Sequence, residues 1–442
     1  MRSVKEIARD GRRGCRGSEH RALAAPVSLL LRYARRMFEG ARDPSRVLET
    51  FAVFLRLGCT SFGGPVAHLG YFRDEFVVRR RWLTDAEYAQ LVALCQFLPG
   101  PASSQVGFAL GLRRAGLPGA IGAWFGFTIP SALLMLMLAL GASTVSGPIA
   151  DGVLLGVLAV AVAVVAQAVS GMARSLAPDV QRASIAIVAA IVALLIGGVW
   201  GQLAVLCGGA IAGVALLGRT AAPQAPAHEH DEGLPIGRRG ALAALSAAGA
   251  LLALLPIIAA SLQHFAFSVA DAAYRAGATV FGGGHVVLAT LEAEPAFVGA
   301  IGQDHLLFGY GAAQAVPGPL FSFAAYAGAL VDASGSIPER TGLAAVALVA
   351  IFLPGLLLLI GVLPFWERLN RRPAIAAAMR GANAAVVGVL AAAFVDPVLV
   401  HGVTGPATLA LAILALAALM MRVPPWLVVV AGAACGAGLS VL

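Results

Sequence analysis

Long apolar runs fill most of the chain, and polar residues concentrate in an N-terminal arm, a central linker and short turns. A helix that crosses a membrane needs about 20 apolar residues, and fewer when it is broken or re-entrant. Segments of this kind are 48–70, 88–111, 117–141, 148–171, 183–200, 201–218, 240–261, 266–289, 306–330, 341–364, 376–396, 404–421 and 424–441. They predict an all-α polytopic membrane protein with about 13 transmembrane segments, some of them broken or re-entrant helices.

Two short motifs inside these segments occur twice. Phe62-Gly63-Gly64-Pro65 returns as Phe281-Gly282-Gly283-Gly284, and an arginine precedes each copy at the same spacing. Gln96-Phe97-Leu98-Pro99-Gly100-Pro101 returns as Gln314-Ala315-Val316-Pro317-Gly318-Pro319. Two duplicated motifs in the same order indicate an internal repeat, so the sequence predicts two homologous halves.

The number of segments decides how the halves are oriented. Six segments precede the polar linker, so a plain duplication would give both halves the same orientation. The extra segment 240–261 flips the second copy and predicts an inverted repeat, a recurring architecture of secondary transporters. The predicted regions are a basic cytoplasmic arm 1–47, a first repeat 48–218, a polar cytoplasmic linker 219–239, a connecting transmembrane helix 240–261 and a second repeat 262–442.

Arginine placement predicts a cytoplasmic N-terminus by the positive-inside rule. The predicted inner loops contain Arg113-Arg114, Arg174, Arg182, Arg219, Arg238-Arg239, Arg368, Arg371-Arg372 and Arg422. One predicted outer loop, with Arg73, Arg79, Arg80 and Arg81, disagrees with the rule. Either segment 48–70 does not cross fully, or this loop lies along the membrane interface.

Composition also places the chain in a bilayer. Hydrophobic residues make up 59% and charged residues 12%, whereas a soluble domain has about a quarter charged residues. The net charge of +8 lies in the arm and in loops, which is a topology signal and not a nucleic-acid-binding face. The five cysteines form no CxxC pair, so we expect neither a structural disulfide nor a metal site.

The duplicated glycines and prolines break helices inside apolar segments. In lipid, broken backbone is tolerated only where protein or a water-filled cavity satisfies the freed polar groups. A break also presents backbone N–H groups and a helix dipole end, which suit an anion. A packing kink is the alternative for one motif alone, but two duplicated motifs favour a binding site.

Arg56 and Arg275 are the arginines that precede the two glycine breaks. A guanidinium is costly in a membrane unless it is paired or solvated, and its planar donors suit tetrahedral oxyanions. We predict that both help to bind an anion; snorkelling toward the membrane surface is the alternative. Asp271, one helical turn from Arg275, is predicted to pair with it. His68 and His285 are secondary candidates for proton coupling.

Amide and hydroxyl groups around the Pro-Gly-Pro motifs complete the predicted site, although they could equally join neighbouring helices. The predicted substrate-binding residues are Arg56, Thr60, Gly63, Gly64, Gln96, Gly100, Arg275, Thr279, Gly282, Gly283, Gln314 and Gly318. The predicted hinges are Pro65, Pro99, Pro101, Pro317 and Pro319. Gln96 and Gln314 match between the halves and are therefore preferred over the nearby Ser103, Ser104 and Ser322.

The sequence contains no Walker-type phosphate loop, no metal-ligand helix and no serine with a plausible base. We therefore expect no enzyme activity, no cofactor and no metal. The missing nucleotide motif also argues against a primary pump. Transport driven by an ion gradient or by the membrane potential is what the sequence favours.

The motifs resemble the chromate transporter (CHR) family of bacterial membrane proteins. The residues that carry the resemblance are Phe54–Gly58 leading to Ser61–Pro65, then Trp82–Asp85 and Gln96–Pro101, with the second-half copies. Over residues 48–442 the chain is similar to the long two-domain form of the family. It departs from the family pattern in its arginine-rich arm, and its second copy has Gly284 where the first has Pro65.

The resemblance implies efflux of chromate across the bacterial inner membrane by a secondary, alternating-access mechanism that gives chromate resistance. Sulfate is the chemically similar oxyanion. A carrier of sulfate or another oxyanion, and a non-transporting membrane scaffold or sensor, are the alternative functions. The expected partners are the oxyanion and the lipid bilayer, with no nucleic acid, and a homodimer is also compatible with the sequence.

Overall fold

The computed structural model describes residues 44–62, 64–142, 147–196, 198–218, 236–262, 264–281, 286–366 and 372–440. The regular structure within these ranges is helical, without a strand, which confirms the predicted all-α class. A helix satisfies its own backbone hydrogen bonds, as an apolar chain in lipid must. The predicted site residues Gly63, Gly282 and Gly283 lie outside the described residues, as do His285 and most of the predicted arm and linker.

The first half begins with short helices and continues with long ones. Its helices are α1 (Pro44–Thr60), α2 (Gly64–Phe72), α3 (Asp85–Phe97), α4 (Ala102–Ala142), α5 (Pro148–Leu176), α6 (Val180–Ile196) and α7 (Gly198–Leu217). A π-helical turn, Arg73–Arg79, extends α2. Helix α4 bends at Ala115 and Gly116, whose backbone angles are not helical.

A helix between the halves, α8 (Arg238–Leu262), precedes the second half. The second-half helices are α9 (Phe265–Thr279), α10 (Val287–Glu292), α11 (Pro295–Ile301), α12 (Gln303–Ala313), α13 (Phe323–Leu330), α14 (Ile337–Val362), α15 (Pro373–Ala393), α16 (Pro406–Met420) and α17 (Pro425–Leu439). A 3₁₀ turn, Leu320–Ser322, leads into α13, and the turns Phe394–Leu399 and Val400–Gly402 extend α15.

Several of these helices can cross a membrane. In the described part of the chain, five are long and apolar enough by length and composition: Ala102–Gly141, Pro148–Leu176, Arg238–Leu262, Ile337–Phe365 and Pro373–Gly402. Shorter apolar helices, among them α6, α7, α16 and α17, pack beside them. The chain is therefore a multi-pass membrane protein.

Helices α1 and α2 form a hairpin that begins and ends on the same side of the membrane. Arg80, beyond α2, bonds to Glu49 near the start of α1 at 2.7 Å. Between these ends, Phe54 stacks on Phe76 with ring centroids 4.9 Å apart. The predicted segment 48–70 therefore doubles back and does not cross the membrane. This is the first of the two explanations given above for the loop with Arg73 and Arg79–Arg81, which disagrees with the positive-inside rule.

The next predicted segment, 88–111, doubles back in the same way. Arg113, before the bend in α4, bonds to Glu87 in the first turn of α3 at 2.8 Å. Arg114 bonds to Glu49 of the first hairpin, also at 2.8 Å. The loop that contains Arg80 and the bend at Arg113-Arg114 therefore share one side, here called the arginine-rich side, as the positive-inside rule requires.

Segments 266–289 and 306–330 of the second half also turn back. Arg275 in α9 bonds to Glu294, just beyond α10, at 2.6 Å. Tyr310 in α12 packs against Phe323 in α13 with ring centroids 6.3 Å apart. Four of the predicted segments are thus re-entrant hairpins, as the prediction of broken or re-entrant helices allows, and the total of about 13 segments stays a prediction. Hydropathy detects an apolar stretch but does not show where the chain reverses.

The two halves have opposite orientations. The part of α4 beyond its bend and helix α14 are matched elements of the repeat, because each follows a hairpin that contains a Pro-Gly-Pro motif. The Arg340 Nη2 atom, in the first turn of α14, donates to the carbonyl of Ala139, near the end of α4, at 2.9 Å. Trp124 in α4 packs on Phe352 farther along α14, with ring centroids 5.4 Å apart. The matched helices therefore run antiparallel, which confirms the inverted repeat.

Each half also packs helices around a long helix of the other half. Helix α5 packs against α16 and α17, and α15 packs against α6 and α7. A β-carbon at Gly156 would lie 2.1 Å from the Gly432 carbonyl oxygen, and one at Gly381 would lie 2.1 Å from the Gly209 oxygen. Small residues permit this close approach of backbones in a membrane, so the glycines fix the exchanged packing.

Gly209→Ala tests this packing, with the neighbouring Gly208 as a matched control. A β-carbon at position 209 would lie 2.4 Å from that of Ala385, whereas position 208 has open space around it. We expect G209A to lower the free energy of unfolding by about 1–3 kcal/mol through overpacking, and G208A to leave it unchanged. Thermal unfolding of the purified protein in detergent measures both. Equal stabilities for the two variants would contradict the packing.

Candidate functional site

The four broken tips meet in two pairs between the halves. The amide of Gly100 in the first Pro-Gly-Pro turn donates to the carbonyl of Val280, beside the second glycine break, at 2.6 Å. The amide of Gly318 in the second turn donates to the carbonyl of Ser61, beside the first glycine break, at 2.9 Å. The Pro-Gly-Pro turn of each half therefore contacts the glycine break of the other half and donates a hydrogen bond to a carbonyl group there.

Glycine is required at both Pro-Gly-Pro turns. Gly100 has φ +115° and Gly318 has φ +102°, a backbone conformation that other residues adopt only with strain. A β-carbon at Gly100 would lie 3.0 Å from the Gly355 Cα, and one at Gly318 would lie 2.9 Å from the Ser131 Oγ. Each turn thus packs directly against the long helix of the opposite half. The flanking prolines restrict the backbone on either side of the glycine.

The helices that lead to the glycine breaks, α1 and α9, also pack closely against the long helices α4 and α14. Gly58 in α1 faces the Phe127 carbonyl of α4, where a β-carbon would lie 2.7 Å from the oxygen. Gly277 in α9 faces the Ile351 carbonyl of α14, where a β-carbon would lie 2.0 Å from the oxygen. Thr60 and Thr279 each follow two residues later and donate to the carbonyls of Arg56 and Arg275 one turn back, at 2.8 and 3.0 Å. Both threonines therefore secure the helix ends at the tips.

Arg56 and Arg275 each bond to a carboxylate on the returning arm of the same hairpin. The partners are Glu75 for Arg56 and Glu294 for Arg275, both at 2.6 Å, and they follow the arginines at the same spacing. Arg275 also pairs with Asp271, which confirms that prediction. The arginines thus join the flanks of the hairpins, and their part in anion binding stays a prediction.

The two ion pairs differ in their surroundings. Glu75 is shared with Arg79 and Arg80, and the Arg56 side chain is 48% exposed. Burial raises the pKa of Glu75, but hydrogen bonds from Arg80 and Arg56 lower it by more, so the net pKa lies below its usual value. Glu294, by contrast, is 1% exposed. Sequence reasoning missed both glutamates, although their equal spacing after each Phe-Gly-Gly was a usable signal.

The two matched glutamines have different environments. Gln96 is exposed, whereas Gln314 is buried and its Nε2 atom has no partner among the described residues. Gln105, which sequence reasoning did not select, is fully buried and donates from Nε2 to the carbonyls of Pro99 and Gly355, both at 2.9 Å. It occupies the space that Gly355 leaves open, and its matched position in the second half is Phe323.

Buried polar atoms without partners lie on the elements that form the tips. In the described part of the chain they include the hydroxyls of Ser61, Ser104 and Thr128 and the Oε1 atom of Gln105. An unsatisfied buried polar group costs about 1–3 kcal/mol. His68, also buried, lies with Nε2 3.2 Å from the Ser61 carbonyl and Nδ1 3.4 Å from the Ser103 hydroxyl. The tips therefore present polar groups that a bound polar ligand could satisfy.

The remaining predicted residues also lie at the breaks. Gly64, with φ +76°, and Pro65 begin α2, and Pro101 stands directly before α4. Pro99, Pro317 and Pro319 flank the two turns. The first N–H groups of a helix have no intrahelical acceptor, and the dipole there favours negative charge. Helix starts from opposite sides of the membrane thus approach one region, which suits an anion.

Two inverted halves, re-entrant hairpins and broken tips that meet between the halves define a membrane transporter. The chain belongs to the chromate transporter family. The family model, described as "Chromate transporter", matches residues 48–214 and 267–437. This membership is that of a transporter family and not of an enzyme family.

Several proteins are similar to this chain in sequence. The chain is 28% identical to the chromate transport protein of Pseudomonas aeruginosa over 81% of its own length and 82% of the relative. It is 30% identical to that of Cupriavidus metallidurans over 77% and 80%. An uncharacterized transporter of Methanocaldococcus jannaschii is 36% identical over 24% of this chain and 25% of the relative. No solved structure matches the chain.

Arg275→Ala and Arg56→Ala test the different roles of the two ion pairs. R275A leaves Asp271 and the buried Glu294 without a cation, and we expect it to cost about 3–5 kcal/mol of stability. R56A leaves Glu75 bonded to Arg79 and Arg80, so we expect a smaller loss. Thermal unfolding in detergent gives the comparison. If R56A is the more destabilising substitution, the assignment is wrong; adding E294Q and D271N to R275A should restore part of the loss.

Proposed function

We propose that the protein exports chromate across the bacterial inner membrane and that the paired tips form its binding site. The observation that carries this proposal is the reciprocal pair of hydrogen bonds, Gly100 N to Val280 O and Gly318 N to Ser61 O. A site built from equivalent elements of two inverted halves can open to either side with the same parts. Membership of the chromate transporter family supplies the choice of chromate.

An oxyanion at the tips is held by backbone and neutral polar groups. Backbone N–H groups at the helix starts and the amide of Gln314 are donors without a permanent charge, so they bind a tetrahedral anion and still release it. The predicted substrate-binding residues Thr60, Gly63, Gly64, Gln96, Gly100, Thr279, Gly282, Gly283 and Gly318 are proposed on the same ground. Ser61, Ser104 and Gln105 join them because their buried polar atoms need partners.

Arg56 and Arg275 are proposed to attract the anion from the flanks of the hairpins. Each arginine is already paired with a glutamate, so an arriving anion competes with a carboxylate and does not meet an isolated cation. This competition keeps the anion from binding too tightly. It also links the occupancy of the site to the ion pairs that join the two arms of each hairpin.

Alternating access follows from the symmetry of the contacts. In one state the tips of the first half, with the second-half tips that they contact, close the site toward the arginine-rich side. When the two halves exchange conformations, the site is closed toward the other side of the membrane. The hinges at Pro65, Pro99, Pro101, Pro317 and Pro319 absorb the change. With the arginine-rich side in the cytoplasm, chromate enters from the cytoplasm and leaves outside, which gives chromate resistance.

A sulfate or general oxyanion carrier is the second candidate, because backbone donors at the tips recognise tetrahedral geometry and charge and not the central atom. A membrane scaffold or sensor is the third. Uptake of labelled chromate into everted membrane vesicles, with sulfate as competitor, separates the three. We expect energised chromate uptake that excess sulfate reduces only in part. Absence of uptake contradicts transport, and stronger uptake of sulfate than of chromate contradicts the choice of chromate.

Gly318→Ala tests whether the paired tips form the transport site, with Gly342→Ala in α14 as control. A β-carbon at 318 adds backbone strain and meets Ser131, whereas nothing lies within 4 Å of one at 342. We expect G318A to reduce chromate uptake at least tenfold while the protein remains in the membrane, and G342A to transport normally. Normal uptake by G318A would place the site elsewhere.

A further inference from the structure

The second half contains a buried carboxyl group that the proposed site does not use. Glu292 ends α10, and both of its carboxyl oxygens are buried without a hydrogen-bond partner in the described part of the chain. An ionised carboxylate in such a place is costly unless it is paired or protonated. Glu292 is therefore a group that can take up a proton within the membrane-embedded part of the protein.

An exposed acidic residue lies near Glu292. Asp396, in the turn that follows α15, lies close enough to act electrostatically on Glu292, and it is exposed. The same end of the molecule carries the Asp304–His401 pair, at 2.6 Å. This end is opposite the arginine-rich side, because α15 starts beside the Arg372 turn and runs across the membrane. Asp396 therefore places an exposed carboxylate of this end of the molecule near Glu292.

On another side of Glu292, the neighbouring residues lead toward the paired tips. Helix α10 packs against α12, where Tyr310 is fully buried and within electrostatic reach of Glu292. Gln314 lies one helical turn beyond Tyr310, with its amide in hydrogen-bonding reach of the phenol. The Gln314 Nε2 atom has no acceptor within hydrogen-bond distance among the described residues. Gln314 stands directly before the second Pro-Gly-Pro turn.

Other titratable and charged groups also surround α10. The titratable or charged residues on the helices packed against it are Asp271, Tyr274 and Arg275 in α9, Asp304, His305 and Tyr310 in α12, and Arg380 in α15. Arg275 is bound to Asp271 and Glu294, and Asp304 to His401. Asp396 and Tyr310 are the neighbours that act with Glu292.

The first half lacks this arrangement. Counting from the matched Phe62 and Phe281, the position of Glu292 is held by Arg73, which bonds to Asp85 at 2.8 Å. The position of Tyr310 is held by Val92 when the Pro-Gly-Pro turns are aligned. The proton-accepting group therefore belongs to one half only, so it breaks the symmetry of the repeat on the outer side.

We propose that Glu292 binds the proton that drives transport, taking it from the outer solution through Asp396 and coupling it to the anion site through Tyr310 and Gln314. The proton passes from outer water to the Glu292 carboxylate and is released to water on the arginine-rich side after the halves exchange roles, so it crosses the membrane and no other reactant is needed. Loss of the proton gives Glu292 a charge that draws the Tyr310 hydroxyl toward it. The Gln314 amide, which lies within reach of the same phenol, then turns its Nε2 donor to the bound oxyanion. This inference rests on the proposed function.

The test uses purified protein in liposomes and Glu292→Gln, which fixes the neutral form. Chromate binding in weak buffer should move protons in the wild type and none in E292Q, although E292Q still binds chromate. An imposed pH gradient should accelerate chromate transport at least fivefold in the wild type and have no effect in E292Q. Chromate–chromate exchange should survive in E292Q, because exchange needs no net proton movement.

Two further variants make the result decisive. Tyr310→Phe keeps the ring and removes the hydroxyl, so it should also lose the response to the pH gradient. Glu339→Gln is the control at the same end of the molecule, since glutamine preserves its capping box with Ser336; it should respond as the wild type does. A wild type that transports chromate without proton movement, or E292Q or Y310F with a full response, overturns the inference and leaves the proposed function standing. Absence of chromate binding in the wild type instead overturns the proposed function itself.

Discussion

Backbone polar groups at a break inside a membrane must find partners within the protein, and the whole fold depends on how this chain supplies them. In lipid each unsatisfied group costs several kcal/mol. The chain meets this requirement across its repeat, because Gly100 bonds to Val280 and Gly318 to Ser61. The left-handed glycines, the seating of Gly58 and Gly277 and the antiparallel course of α4 and α14 all serve to bring these groups within bonding distance.

Much of this arrangement could be predicted from the sequence. The duplicated glycine and proline motifs identified the breaks, and the odd helix between the halves identified the inversion. Broken or re-entrant helices were predicted, but which segments reverse could not be, because an apolar hairpin and an apolar span of equal length have the same hydropathy. The conflict over Arg79–Arg81 was the sign that one segment turned back. The glutamate partners of Arg56 and Arg275 were missed because an ion pair depends on which helix face returns, which composition does not reveal.

The halves are equal in backbone and unequal in side chains. Gly355 on one long helix faces Gln105, whereas the matched Ser131 on the other faces Gly318 directly. Glu75 is surrounded by three arginines, while Glu294 and Asp271 share a single one. One end of the molecule is therefore basic and the other acidic around equivalent hairpins. In the proposed mechanism the symmetry provides two interchangeable conformations, and the charges decide which ion meets which face.

The exchanged packing of α5 with α16 and α17, and of α15 with α6 and α7, also constrains how the protein is made. The first half leaves the ribosome with the grooves around Gly209 and Gly213 unfilled, since the helix that fills them is encoded near the end of the chain. Its own folding cannot be completed until the second half is inserted in the opposite orientation. Fusion of the two copies into one polypeptide therefore guarantees that each groove meets its intended helix at a fixed one-to-one ratio.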